Sequence, residues 1–298
     1  MIVVSGSFAL GRLYLQQHVK IVEPISNDWD NGFRPAQYPY ESRSFVIFIC
    51  GFNNGAFLEK TLRSVFSQVY DNYRLIYIDD ASTDGSFELA RDCISQSGYS
   101  ARAAFFHNEQ RIGLLANLVR TTQVCKDYEI VVILRDQDWL AHEWVLERLN
   151  QYYADPDLWL TYGQYKEFPS YRTGNARNYT QSERKMIRQA PLISNHLPTF
   201  YSALFKHIKE NDLLFQEAYF PESGELAVLL PMMEMAQDHF QFVSETLSIF
   251  NQKAFGFENR DIQVRCERYI RSLKSYLPIT DLKLEQDEET GKNREAGV

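Results

Sequence analysis

The chain has 298 residues, of which 45% are hydrophobic and 23% are charged, as in an ordinary globular protein. Its 31 basic and 39 acidic residues give a formal charge of −8, which argues against nucleic acid as a main partner because phosphate binding needs a basic surface. The cysteines lack CxxC spacing, so we expect no zinc site but reduced thiols in a cytoplasmic protein. Residues 2–15 are too short and polar to span a bilayer, although action at a membrane surface stays open.

Four strand–helix units follow a lead-in rich in turn residues. Apolar runs predict strands, and apolar residues at helical spacing follow each run. The runs are Phe45–Cys50, Leu75–Ile78, Ala103–His107 and Ile130–Leu134. Short connections between these units imply an α/β fold with a mostly parallel, doubly wound sheet and helices on both faces. In such sheets ligands bind beyond the carboxyl ends of the strands, where this chain carries its polar clusters.

The pattern changes after Tyr165. Residues 166–195 are polar and basic with little periodicity, and we expect a long loop that orders on substrate. Beyond it the chain returns to apolar periodicity. We predict helices near Phe200–Ile208, Glu225–Ala236 and Asp261–Leu273 and a strand near Phe240–Phe250. Pro231 should start or kink the second of these helices.

Two strand ends carry the most specific pattern. One is the run from Ser44 to Asn54, and the other is Ile78-Asp-Asp-Ala-Ser-Thr-Asp-Gly85. Together they resemble the GT-A glycosyltransferases of family 2, whose first two strands typically end in P-T-Y-N-like and V-D-D-G-S-T-D-G turns. The resemblance covers about residues 44–165. It implies inverting transfer of a sugar from a nucleotide diphosphate donor.

The resemblance assigns the nucleotide base to Phe52, Asn53 and Asp80. Phe52 matches an aromatic residue able to stack on a base, and Asp80 matches a carboxylate that binds a ring N–H, which favours uracil. A simpler interpretation is that Asp80 and its neighbours only form a capped turn before a helix.

The segment Asn108-Glu-Gln-Arg-Ile-Gly113, followed by Asn117, resembles the family's loop near the diphosphate. By this match Arg111 pairs with phosphate oxygens and Asn117 contacts the ribose or diphosphate. A solvated loop charge is the alternative for Arg111.

The segment from Leu134 to Leu140 aligns with the family's L-D-x-D-D-W-L, whose D-x-D faces the metal and the diphosphate. Here Arg135 and Gln137 replace the two acids of that motif, and Asp136-Gln-Asp138 forms a D-x-D shifted by one residue. Asp136 and Asp138 are therefore the candidate ligands of Mn²⁺ or Mg²⁺. Three interpretations stay open: a bulge restores the motif, Arg135 serves as a cation in place of metal, or catalysis is lost.

Two segments of the C-terminal half resemble elements of bacterial and viral relatives. Glu225 occupies the position of the family's Asp general base, and His196 is a candidate for holding the acceptor or a phosphate, together with Arg135. Pro198 replaces an Arg of the pattern. A helix N-terminal carboxylate and a hydrogen-bonded structural histidine are the simpler interpretations of Glu225 and His196.

The sequence thus predicts a glycosyltransferase that uses a nucleotide sugar, with UDP favoured, and a glycan or lipid-linked saccharide acceptor. A catalytically degenerate homologue that binds a nucleotide sugar or glycan is one alternative. A nucleotidyltransferase-like enzyme is another, although its Gly-rich signature with a Lys is absent. The predicted division is an N-terminal arm (1–43), a nucleotide-sugar-binding half (44–165), an acceptor-side half of the same domain (166–278) and a disordered tail (279–298).

Overall fold

The computed structural model describes residues 41–191, 193, 196–253 and 260–284. The predicted N-terminal arm lies outside the described residues except for residues 41–43, and the predicted tail does so after residue 284. Within the described ranges, every helix is too short or too polar to cross a bilayer. The predicted division into halves stays a prediction.

The first part of the chain forms the four predicted strand–helix units. Its elements are β1 (Phe45–Gly51), α1 (Gly55–Phe66), β2 (Tyr73–Asp79), α2 (Ser86–Gln96), β3 (Ala103–His107), α3 (Leu114–Gln123), β4 (Ile130–Ile133), β5 (Trp139–Leu140) and α4 (Val145–Tyr152). Phe45 to Ile49 of β1 are fully buried, as expected of a strand covered on both faces. The apolar residues of α1 recur every three or four positions and are buried against the sheet core.

The second part contains more strands than predicted. Its elements are β6 (Leu160–Phe168), β7 (Arg172–Thr173), α5 (Gln181–Lys185), β8 (His196–Tyr201), α6 (Ser202–Lys206), β9 (Leu214–Phe215), β10 (Ala218–Tyr219), α7 (Gly224–Ala236), β11 (Phe240–Asn251) and α8 (Arg260–Ser272). The helices at α7 and α8 and the strand at β11 are confirmed. Pro231 lies inside α7 rather than at its start.

Nine strands of the described chain form one sheet, in the order β3-β2-β1-β4-β8-β6-β11-β5 with β7 beside β6. β1 runs parallel to β2 and β4, and β3 runs parallel to β2. Because β8 is antiparallel to both β4 and β6, β6 has the direction of β4, and β11 runs parallel to β6. The mostly parallel sheet is therefore confirmed. The carboxyl ends of β1, β2, β4, β6 and β11 meet the start of β8 at one edge.

The predicted helix near Phe200–Ile208 is wrong in its first residues. β8 occupies His196–Tyr201 and only then does α6 begin. An apolar run of this length does not distinguish a strand from a helix, and the decision comes from its pairing with β4 and β6 on either side.

The predicted loop over residues 166–195 is largely structured where it is described. Arg177 pairs with Glu183, and Arg184 donates to the backbone oxygens of Gln237 and Phe240. Arg188 forms a bidentate ion pair with Glu234 of α7 at 2.7 and 2.6 Å, and both side chains are 6% exposed. These three basic residues therefore have partners within the protein. The structure gives no support to a loop that becomes ordered only when substrate binds.

Removal of one member of the buried Arg188–Glu234 pair should destabilise the fold. We expect Arg188→Ala to lower the free energy of unfolding by about 3–5 kcal/mol because it leaves an uncompensated buried carboxylate. Arg63→Ala is the control, since Arg63 pairs with Glu59 on the surface of α1, and its cost should stay below about 1 kcal/mol. Urea unfolding measures both, and equal losses would contradict the assignment.

Candidate functional site

Hydrogen bonds join the turn after β1 to the turn after β2. The backbone N–H of Asn53 donates to Ser82 Oγ at 3.0 Å, and Asn53 Oδ1 accepts from the backbone N–H of Thr83 at 2.8 Å. Asn53 has φ 50°, a left-handed conformation that Asn tolerates better than most residues. Asn53, which the sequence assigns to nucleotide binding, therefore uses its side chain to hold the two strand ends together.

Asp80, which directly follows β2, holds the loop between β3 and α3 in place. Its carboxylate accepts four hydrogen bonds, from the backbone of Ile112 at 3.0 Å and Gly113 at 2.8 Å and from the side chains of Asn108 at 2.8 Å and Asn117 at 3.0 Å. Burial alone would raise the pKa of Asp80, yet these donors lower it below its ordinary value. Three of these donors reach Oδ1 and one, Gly113, reaches Oδ2, so Oδ2 has a second lone pair with which to accept a base N–H.

Asn117 is fully buried beneath the same loop. Its amide donates to Asp80 and to the backbone oxygen of Gly113 at 3.0 Å, and its carbonyl accepts from Asn108 at 3.0 Å. The predicted contact with ribose or diphosphate stays a prediction, and these bonds would have to open for it. Asn117 lies in the first turn of α3 and points inward, so it shapes the loop and presents no polar atom to a ligand.

Phe52 and Arg111 lie in contact at the mouth of this region. The guanidinium carbon of Arg111 is 3.8 Å from the centre of the Phe52 ring, a cation–π contact. Phe52 is half-buried and Arg111 is exposed. The loop that Asp80 holds carries Arg111 next to Ile112, so Phe52, Asp80 and Arg111 form one cluster, here called the nucleotide corner.

Arg135 and Glu225 are bound to each other. Arg135 Nε donates to Glu225 Oε1 at 2.9 Å and Nη2 donates to Oε2 at 2.7 Å, with the two side chains 34% and 17% exposed. Burial alone would raise the pKa of Glu225, but the charge of Arg135 and its hydrogen bonds lower it. Burial likewise opposes the charge on Arg135, and Glu225 outweighs this and raises the pKa of the guanidinium. The residue predicted as general base is thus a weaker base than a free Glu while this pair is closed.

Asp136 and Asp138 are held by different strands. Asp136 Oδ2 accepts from the backbone N–H of Phe52 at 3.3 Å, and burial together with the charge of Asp138 raises the pKa of Asp136 to about 7. Asp138 is 5% exposed, and its Oδ1 accepts from the backbone N–H of Asn251 at 2.9 Å.

Asp136 and Asp138 offer two carboxylates to a divalent cation, which at nucleotide sites is commonly bound by one or two carboxylates together with phosphate oxygens. Among the described residues, no three His, Cys, Asp or Glu side chains are grouped to hold a metal ion. The cation of Arg135 also lies next in sequence to Asp136. Asp136 and Asp138 each use one oxygen to accept a backbone N–H and have a second oxygen beside it, so their assignment as metal ligands stays a prediction.

His196 is packed inside an aromatic cluster. Its ring centre is 3.7 Å from that of Tyr165 and 4.8 Å from that of Phe250, and the residue is 5% exposed. Nδ1 lies 3.9 Å from Asp138 Oδ2, and burial lowers the pKa of the imidazole. These contacts favour the structural interpretation of His196, and its assignment to the acceptor or a phosphate stays a prediction.

Two residues that support the site were missed in the sequence. Asn54 Nδ2 and Thr61 Oγ1 both donate to the backbone oxygen of Asp136 at 3.1 Å, and both residues are buried. They tie the start of α1 to the strand end that carries Arg135. The only sequence signal was a polar Thr among the buried positions of an amphipathic helix.

The family model described as "Glycosyl transferase family 2" matches residues 46–212. The chain therefore belongs to this family. A "Glycosyltransferase GlyG" of Streptococcus pneumoniae serotype 4 is 26% identical over 179 residues, which are 57% of this chain and 57% of the relative. The chain thus matches little more than half the length of that protein.

Solved structures show the same fold at low identity. S. aureus TarS 1–349 in complex with UDP-GlcNAc has a TM-score of 0.52 at 14% identity, covering 74% of this chain and 60% of that one. The mannosyltransferase PcManGT from Pyrobaculum calidifontis, in complex with GDP-Man and Mn²⁺, has a TM-score of 0.54 at 13% identity, covering 90% and 74%. These likenesses confirm the predicted GT-A fold.

The hydrogen bonds of Asp80 predict a stability effect in the absence of any ligand. Asp80→Asn presents an amide N–H₂ to donors, so we expect the free energy of unfolding to fall by at least about 2 kcal/mol. Asp92→Asn on the exposed face of α2 should change it by less than about 0.5 kcal/mol. Urea unfolding measures both variants without added nucleotide. If Asp80 served only to bind the nucleotide base, neither substitution would change the free energy of unfolding.

Proposed function

We propose that the chain is an inverting glycosyltransferase that moves a sugar from a UDP-sugar to a glycan or lipid-linked saccharide. The observation that carries this proposal is the nucleotide corner, where Phe52, Asp80 and Arg111 meet beyond the ends of β1 and β2 in a chain of family 2. Ligands of open α/β sheets bind at such strand ends.

The base occupies the face of Phe52 in this proposal. Arg111 covers that ring, so an entering base displaces its guanidinium or stacks against it. A displaced guanidinium is then available to the donor diphosphate. Uracil is favoured because Asp80 Oδ2 can accept its ring N–H, a donor that adenine and cytosine lack, and because TarS structures hold UDP and UDP-GlcNAc. The GDP-Man complex of PcManGT represents the alternative donor class.

Glu225 is the proposed general base. As the acceptor oxygen forms its bond to the anomeric carbon, the bond from that carbon to the diphosphate oxygen breaks and the hydroxyl proton passes to Glu225. Arg135 donates one hydrogen bond to each oxygen of Glu225, and a carboxylate has lone pairs beyond these two. The nucleoside diphosphate leaves with both electrons of the broken bond.

A reducing, cytoplasmic setting is part of the proposal. The four cysteines, Cys50, Cys93, Cys125 and Cys266, are all described and none forms a disulfide. Free thiols that are buried or half-buried suit a compartment in which disulfides are not formed.

A second candidate function is binding without transfer. Arg135 and Gln137 replace the acids of the family's D-x-D, and the pair with Arg135 lowers the pKa of Glu225. Retained affinity for a nucleotide sugar, with neither hydrolysis nor transfer for any acceptor pool, would favour this candidate.

Nucleotide selectivity tests the corner. We expect UDP to raise the melting temperature more than ADP or GDP at equal concentration, because the shift grows with the ratio of ligand concentration to Kd. Phe52→Ala should remove the advantage of UDP. Phe106→Ala, which changes an exposed aromatic residue of β3 elsewhere on the sheet, should keep it. Equal shifts for the three nucleotides would count against a uracil site.

Glu225→Gln tests the general base, since it keeps the shape and removes the basicity. We expect transfer to fall on the order of 10²–10⁴-fold while UDP affinity changes less than about threefold. Glu88→Gln, at an exposed position in the first turn of α2, controls for a carboxylate that only serves a helix N-terminus. Transfer that survives in Glu225→Gln would assign Glu225 to the helix terminus instead.

A further inference from the structure

We infer that the guanidinium of Arg135, held by Glu225, takes the place of a divalent cation and binds the diphosphate of the donor. This inference rests on the proposed function and deepens it by assigning how the donor is bound. It predicts a nucleoside diphosphate site that works without metal.

The first support is the donor capacity of Arg135. A guanidinium has five N–H groups, and Glu225 takes one from Nε and one from Nη2. Within the described part of the chain, Nη1 has no hydrogen-bond partner, and the side chain is 34% exposed. The planar edge that remains suits phosphate oxygens, which guanidinium groups bind in bidentate fashion. Arg135 can therefore bind a phosphate without leaving Glu225.

The second support is the engagement of the two acids beside it. Asp136 receives the backbone N–H of Phe52, and Asp138 receives that of Asn251 with His196 close by. The two carboxylates therefore have separate backbone partners, one directly after β1 and one at the end of β11. A cation bound between them would also lie close to the charge of Arg135, and like charges repel. The positive charge that the diphosphate needs is already present in the protein.

The third support is position. Gly224 packs so closely on α3 that an added Cβ would lie 3.0 Å from Leu115 Cβ, and Glu225 follows it directly. Two residues before Leu115, Gly113 donates to Asp80 of the nucleotide corner. On the other side, Asp136 contacts the backbone of Phe52. The Arg135–Glu225 pair therefore lies beside the nucleotide corner.

Isothermal titration of UDP in buffer with EDTA, and in buffer with Mn²⁺, tests the inference. We expect wild-type affinity to be the same in both buffers, and Arg135→Ala to weaken it about 10- to 100-fold, the range for losing charge-assisted hydrogen bonds to phosphate. Arg91→Ala is the matched control, because Arg91 forms an exposed pair with Asp92 on α2 and its removal should leave UDP affinity unchanged.

Arg135→Ala leaves the carboxylate of Glu225 unpaired and can prevent folding. In that case the double variant R135Q/E225Q, which places two neutral side chains against each other, is titrated instead. The same loss of UDP affinity is expected in it. Affinity that vanishes with EDTA and returns with Mn²⁺, or that survives in both Arg135 variants, would overturn the inference and leave the proposed function standing. A wild-type protein that binds no UDP in either buffer would overturn both.

Discussion

The site depends on the shared direction of β1, β2 and β4. Because these strands are neighbours and run parallel, their last residues meet at one edge, and short turns there can exchange hydrogen bonds. Asn53 reaches the turn after β2, and Asp136 after β4 reaches the backbone of Phe52. The antiparallel β8 starts at the same edge and brings His196 beside Asp138. Side chains far apart in sequence are thereby fixed without any ligand.

Two of the departures of this chain from the family pattern compensate each other in charge. Arg135 stands where the pattern has an acid, and Glu225 is one methylene longer than the Asp of the pattern. In the fold the two side chains meet in a bidentate pair. An Arg in place of the acid removes a metal ligand and adds a charge that must be balanced, and the longer carboxylate supplies the balance. Each substitution alone would leave a half-buried charge without a partner.

The sequence predicted the first half of the fold well because periodicity and turn chemistry are local. The run at Phe45 and the acid-rich turn at Asp80 carry their structure in a few adjacent residues. It failed at β8, whose identity comes from two neighbouring strands, and it contained no sign that Asn117 is buried, which depends on a loop folded over it. The pairing of Arg135 with Glu225 joins residues 90 positions apart, which no local pattern contains.

The place of β11 in the sheet bears on how the protein is made. β5 carries the residues that directly follow Asp138, and it pairs with β11, which is synthesised about a hundred residues later. Asn251 at the end of β11 also holds the carboxylate of Asp138. Domains begin to fold from the N-terminus as they leave the ribosome. Here the nascent chain can form β1, β2 and β4 early, yet this corner of the site stays incomplete until the last strand of the sheet emerges.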